Sequence, residues 1–153
     1  EPASQEVNLH TATLIPEDYL PDVHTRLILY KRISAAKTAH ALDDLQVEII
    51  DRFGLLPDPL KRLFQVTKLK LASQGLGVVK IDIGPNRGKL EFSSQTNVDP
   101  IKIVNLVQRE AHTYKLEGAS TLRITEELEQ FSDRLRFAVD LLNALTPSES
   151  EAA

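Results

Sequence analysis

The side chains best placed for chemistry lie on one predicted helix within Leu42–Pro57: Asp44, Glu48, Asp51 and Arg52. At about 100° per residue they gather on one side, while Leu42, Leu45, Ile49 and Phe53 line the other. The apolar stripe makes core, and the charged side is free to form salt bridges with a partner that carries arginines. The plainer alternative is a solvated helix face with an internal Glu48–Arg52 pair at i, i+4, contributing only about 0.3–0.5 kcal/mol.

No catalytic constellation accompanies this face. The adjacent acids Asp43–Asp44 and Glu126–Glu127 have nothing around them in sequence to desolvate a carboxyl for acid–base work. His10, His24, His40 and His112 are scattered without ligand spacing, and the chain has no cysteine, so neither a metal nor a cofactor is expected. Gly75-Leu76-Gly77 lacks the third glycine of a dinucleotide fingerprint. Gly84 to Gly88 lacks the lysine and hydroxyl of a phosphate loop. The expectation is a non-enzymatic domain. Two basic sets, Arg26, Lys31, Arg32 and Lys37, then Lys61, Arg62, Lys68 and Lys70, read as solvated helix faces; the alternative is an accessory contact to nucleic acid. A net charge of −4 argues against a broad positive field.

The elements that must hold these residues follow from periodicity. A β-prone run over about 6–14 closes at Pro16, and an extended anchor carries Tyr19 and Leu20. Asp22 is a natural N-cap for a helix over 23–38, with Val23, Leu27 and Tyr30 as its apolar stripe and Leu29, Ile33 and Ala36 widening it. The charged helix follows and stops at Gly54, with Pro57 just beyond. A third helix runs from Pro59, capped by Asp58, to about Gln74 with Gly75 as terminator. Val79, Ile81 and Ile83, then Leu90 and Phe92, alternate with polar residues across a Gly-Pro-Asn-Arg-Gly turn, which makes a hairpin. Asp99-Pro100 starts a helix ending near His112. A second hairpin spans Thr113 to Thr125, and a helix over 127–145 carries the seam Leu128, Phe131, Leu135, Ala138, Leu142 and Leu145. Strands joined by such short turns pair antiparallel, so the expected class is α+β, with helices packed on a mostly antiparallel sheet.

A chain of 153 residues with 42% hydrophobic residues fits one domain, expected over 7–146, with a linker at 1–6 and a polar tail at 147–153. It opens on Glu1 and contains no methionine, so it is expected to be a piece of a longer protein. No run is long and apolar enough for a membrane span, and neither a signal peptide nor a membrane anchor is expected; the expectation is a soluble, cytoplasmic protein.

Three ordered motifs carry a resemblance. Glu48-x-x-Asp51-Arg52-Phe53-Gly54-x-x-Pro57 is preceded by Ala12-Thr13-Leu14-Ile15-Pro16-x-x-Tyr19-x-Pro21-Asp22 and by Arg26-Leu27-x-Leu29-Tyr30-Lys31-Arg32. Together they resemble the C-terminal domain of the bacterial transcription-repair coupling factor (Mfd) family, over roughly residues 7–60. The resemblance implies a non-catalytic domain that follows an ATP-driven DNA translocase and an RNA-polymerase-binding module. It implies an intramolecular clamp: the domain packs on an N-terminal module similar to UvrB and covers the surface by which that module recruits UvrA. By the same analogy, Glu48, Asp51 and Arg52 make the polar contact.

Overall fold

The computed structural model describes residues 5–148. Its elements run β1 (Glu6–Asn8), α1 (Val23–Ala35), α2 (Ala39–Phe53), α3 (Asp58–Leu76), β2 (Val78–Ile83), β3 (Arg87–Phe92), α4 (Pro100–Arg109), β4 (Tyr114–Glu117), β5 (Thr121–Thr125) and α5 (Phe131–Leu145). Element types and order match the sequence reading, and the class is α+β. The chain divides into two compact units: Thr11–Leu71, and the stretch ending at His10 together with Ala72 onward. Most of the linker and tail expected at the two ends lies outside the described residues.

In the helical unit, two caps set the helix starts. The Asp22 side chain accepts from the Thr25 amide at 3.0 Å and also from the Thr25 hydroxyl. These hydrogen bonds hold the Asp22 carboxyl below its ordinary range. Thr38 accepts from the Ala41 amide to start α2, so α1 ends at Ala35, short of the predicted 38. One core cluster joins Leu29 and Ile33 of α1, Leu42, Leu45 and Ile49 of α2, and Leu60 and Phe64 of α3 with Ile15, Leu20 and Leu56. The stripe expected on α1 is not the buried one: Val23 and Leu27 are 58% and 56% exposed, while Leu29 and Ile33 are buried. Apolar residues occur around most of α1, so its composition does not choose a face; packing does.

The α3 boundaries also move. Helix α3 includes Asp58, and the Pro57 carbonyl accepts from the Leu60 and Lys61 amides. Its end lies past Gly75, at Leu76, and the next residue, Gly77, has a left-handed φ of +70°. A Cβ on Gly77 would also meet the Thr96 Cα at 2.6 Å.

The sheet unit orders its strands β1-β2-β3-β5-β4, with β1 parallel to β2 and every other pair antiparallel. Ile81, Ile83, Leu90, Leu122 and Ile124 are buried on one face, where α5 approaches β2 and α4 approaches β4 and α5. The first strand is three residues long rather than nine. His10 sits at a φ of 58° and leaves the ladder, and its Nε2 lies 2.5 Å from Asp82 Oδ1. A register shift between Val78 and Lys80 puts Val78 in the core in place of the expected Val79.

Helix α4 stops at Arg109 rather than near His112, because the Glu110 carbonyl accepts from the Thr113 and Tyr114 amides as the chain enters β4. Helix α5 starts at Phe131 rather than 127. Residues before it are held by the Leu128 amide donating to the Pro85 carbonyl at 2.7 Å, and a reciprocal Gln130–Asp133 capping box opens the helix. Leu128, Ala138, Leu142 and Leu145 of the predicted seam are buried, as is Leu141.

Candidate partner-binding site

Helix α2 places the singled-out residues as its periodicity dictates. Leu42, Leu45 and Ile49 are buried, and the far side stays open. Asp44 projects into solvent, with His40 Nε2 at 3.4 Å one turn back. Asp51 is exposed and enters no ion pair among the described residues. Arg52 lies 3.7 Å from Glu48 Oε2, and its guanidinium stacks 4.7 Å from the Phe53 ring centroid.

Glu48 is not free in the same way. Arg32 of α1 donates to it from both terminal nitrogens, Nη1 to Oε2 at 2.5 Å and Nη2 to Oε1 at 2.8 Å. These hydrogen bonds hold the Glu48 carboxyl below its ordinary range and raise the Arg32 pKa. The structure thus brings Glu48, Arg52 and Arg32 together and leaves Asp51 and Asp44 as the available anions. The Arg32 contact escaped the sequence reading because the partners are 16 residues apart on different helices. The expected Glu48–Arg52 pair is present as the longer of the two contacts.

The motif residues sort into two groups. Several are explained by folding alone. The Tyr19 hydroxyl donates to the Gly54 carbonyl at 2.6 Å, and the Tyr19 ring meets Phe53 edge-on with centroids 6.4 Å apart. The Tyr30 hydroxyl accepts from the Ile15 amide at 2.8 Å, and Asp22 caps α1. Asp51 makes no such side-chain contact among the described residues.

The basic helix faces look different once contacts are known. Arg26 donates to the carbonyls of Leu20 and Pro21 at 2.8 and 2.9 Å. Arg62 donates to the Ala12 carbonyl at 2.9 Å, and Lys68 meets Asp43 at 2.5 Å. With Arg32 on Glu48, four of the eight cations are engaged within their own unit. No group of three or more His, Cys, Asp or Glu residues among the described residues is placed to hold a metal, and no helix there is long and apolar enough to cross a membrane.

Fold and face define an α+β protein with one helical unit and one unit built on a five-stranded sheet, and an open charged face on its second helix. The family model for the TRCF domain matches residues 9–103. The transcription-repair-coupling factor of Haemophilus influenzae is 44% identical over 140 residues, covering 92% of this chain and 12% of that protein. That of Escherichia coli is 37% identical over the same shares. A crystal structure of the C-terminal domain of a transcription-repair coupling factor superposes with a TM-score of 0.69 at 21% identity, covering 93% of this chain and 94% of that one. The chain belongs to the transcription-repair coupling factor domain family. It spans about an eighth of the length of these full-length relatives.

Proposed function

We propose that this chain is the autoinhibitory C-terminal domain of a transcription-repair coupling factor. It has no catalytic role of its own, and it belongs to a cytoplasmic parent that translocates on DNA at the expense of ATP and binds RNA polymerase, DNA and UvrA. It packs on the UvrB-like N-terminal module of the same protein and masks that module's UvrA-binding surface until the motor engages stalled RNA polymerase. The observation that carries this reading is Asp51. It is an exposed motif carboxylate that enters no ion pair among the described residues, set beside Arg52 on a helix face that folding leaves open. Charged contacts of this kind suit a clamp that has to open, because exposed ion pairs contribute about 0–1 kcal/mol each and release readily. Nucleic-acid binding through the basic helices has less support, since half of their cations are already engaged.

The test is UvrA capture by the intact parent protein, unmodified and carrying Asp51→Arg. Under the clamp reading the variant captures UvrA without the polymerase signal, at an unchanged melting temperature. Equal capture by both proteins would sink it.

A further inference from the structure

On the sheet unit, an open hollow of about 770 Å³ lies where the β2–β3 turn meets β5. Arg87 and Lys89 of β3 and Arg123 of β5 line it, and Asn86 and Thr125 add an amide and a hydroxyl. We propose that this hollow, with the row of cations leading from it, holds the phosphate backbone of a nucleic-acid strand. The inference does not depend on the clamp reading and uses none of its residues.

The two-residue period of the strands puts these cations on one face. Leu90, Leu122 and Ile124 are buried, so Lys89, Arg123 and Thr125 face the other way, and Arg87 shares the side of Lys89. Register then makes a row, because Lys89 pairs with Arg123, and Arg123 with Lys115 on the edge strand β4. With adjacent strands about 4.8 Å apart, the row spans about 10 Å, more than one phosphate covers.

The carboxylates around this row leave it positive. Asp82 is the one acid in the lining among the described residues, and His10 Nε2 already lies 2.5 Å from it. Three cations against one carboxylate leave the hollow at +2, in a chain whose net charge is −4. Glu91, outside the hollow, lies 3.5 Å from Lys89 and is shared with Lys80 at 3.8 Å. Glu117 takes the Arg123 Nε at 2.6 Å and leaves the two terminal nitrogens for a ligand. Glu126 acts instead on Tyr114, which is buried. Arg87 enters no ion pair among the described residues. Guanidinium forks and ammonium groups match phosphate oxygens. No aromatic side chain stands at an outward position of β3 or β5, so the contact reads backbone charge rather than bases.

A relative's C-terminal domain of matching extent has a crystal structure of its own, so the test uses the 153-residue chain itself, with melting temperature as the check on folding. Fluorescence anisotropy of a short, labelled single strand of mixed-sequence DNA reads binding between about 50 and 200 mM salt. Four phosphate contacts, from Arg87, Lys89, Arg123 and Lys115, should give a slope of log K against log salt of about −2.8, at about −0.7 per contact. Arg87→Glu with Lys115→Glu removes two of them. It should weaken binding roughly tenfold or more at the lower salt and bring the slope to about −1.4. Lys37→Glu with Lys70→Glu changes the net charge equally, at exposed lysines of the helical unit, and should leave the slope unchanged. Should the first pair lower the melting temperature, Arg87→Gln with Lys115→Gln takes its place and should reduce the slope in the same way. No binding at about 50 mM salt would overturn the inference, as would an equal loss of slope in the two pairs. Displacement of the strand by inorganic phosphate at matched ionic strength would also overturn it, since the hollow would then be a site for a single phosphate.

Discussion

The Arg32 guanidinium and the Glu48 carboxylate form a two-point ion pair, at 2.5 and 2.8 Å, that ties α1 to α2. Because the pair lies on the surface, solvent screens it and its contribution to stability is small. Glu48→Arg alone would place three cations together with Arg32 and Arg52. It should lower stability, and Arg32→Glu with Glu48→Arg should recover most of that loss. A double-mutant cycle by urea unfolding reads the coupling. The consequence for the clamp is practical: Glu48→Arg mixes a folding effect with any interface effect, whereas Asp51→Arg does not.

The same pair fixes the sign of one pH effect. Arg32 lowers the folded pKa of Glu48, so the stabilisation is present above the unfolded carboxylate pKa and is lost as pH falls through the folded value. Acid titration of stability should therefore be shallower in Glu48→Gln than in the unmodified chain. Identical titrations would remove the pair from the account.

Tyr114 acts at the other end of the scale. It is buried beside Phe137, with ring centroids 6.0 Å apart. Burial first, then the charges of Glu110 and Glu126, push its hydroxyl up to about 12 from 10.0. The folded state keeps this proton after the unfolded chain has released it, so stability falls as pH rises from 10.0 towards 12. Tyr114→Phe should flatten that alkaline slope, measured by melting temperature against pH.

Arg134 is buried at 5% exposure, yet it is held by carbonyls. Its Nε donates to Leu9 at 2.8 Å, and Nη1 donates to Leu128 and Glu129 at 2.8 and 3.0 Å, so one side chain fastens the end of β1 to the start of α5. Arg134→Met should destabilise the sheet unit by roughly 2–4 kcal/mol, because buried acceptors lose their donors. Chemical unfolding followed at Tyr114 would check it, and a loss below about 1 kcal/mol would contradict the role.

Two glycines with positive φ separate strain from collision. Gly54 at +100° has open space where a Cβ would sit, while Gly77 at +70° has the Thr96 backbone there. Gly54→Ala should cost about 1 kcal/mol for the backbone conformation alone. Gly77→Ala adds the collision and should cost clearly more. Equal melting temperatures for the two variants would refute the distinction.

Element type and order were legible in the sequence wherever a short-range rule applied. Asp22 and Asp99 cap their helices because a side-chain oxygen near the first free amides needs only local geometry. The alternation through Ile81, Ile83, Leu90 and Phe92 becomes a hairpin because a two-residue period has one buried face. Leu42, Leu45 and Ile49 enter the core as their spacing requires, which exposes Asp44 and Asp51 by default.

What local rules leave open, tertiary contacts decided. Helix α1 has apolar residues on several sides, and only its neighbours determine that Leu29 and Ile33 are buried while Val23 and Leu27 are not. The left-handed His10 ends β1 where composition favoured a longer strand, and a register shift exchanges Val78 for Val79. The sequence by itself determined that α2 carries a charged face and that Asp51 stands on it, since helical period and burial settle both. Only the tertiary structure decided that Glu48 is already taken. Its partner, Arg32, is 16 residues away in the chain and comes within hydrogen-bonding distance when α1 packs beside α2, a proximity that no spacing rule within one helix encodes.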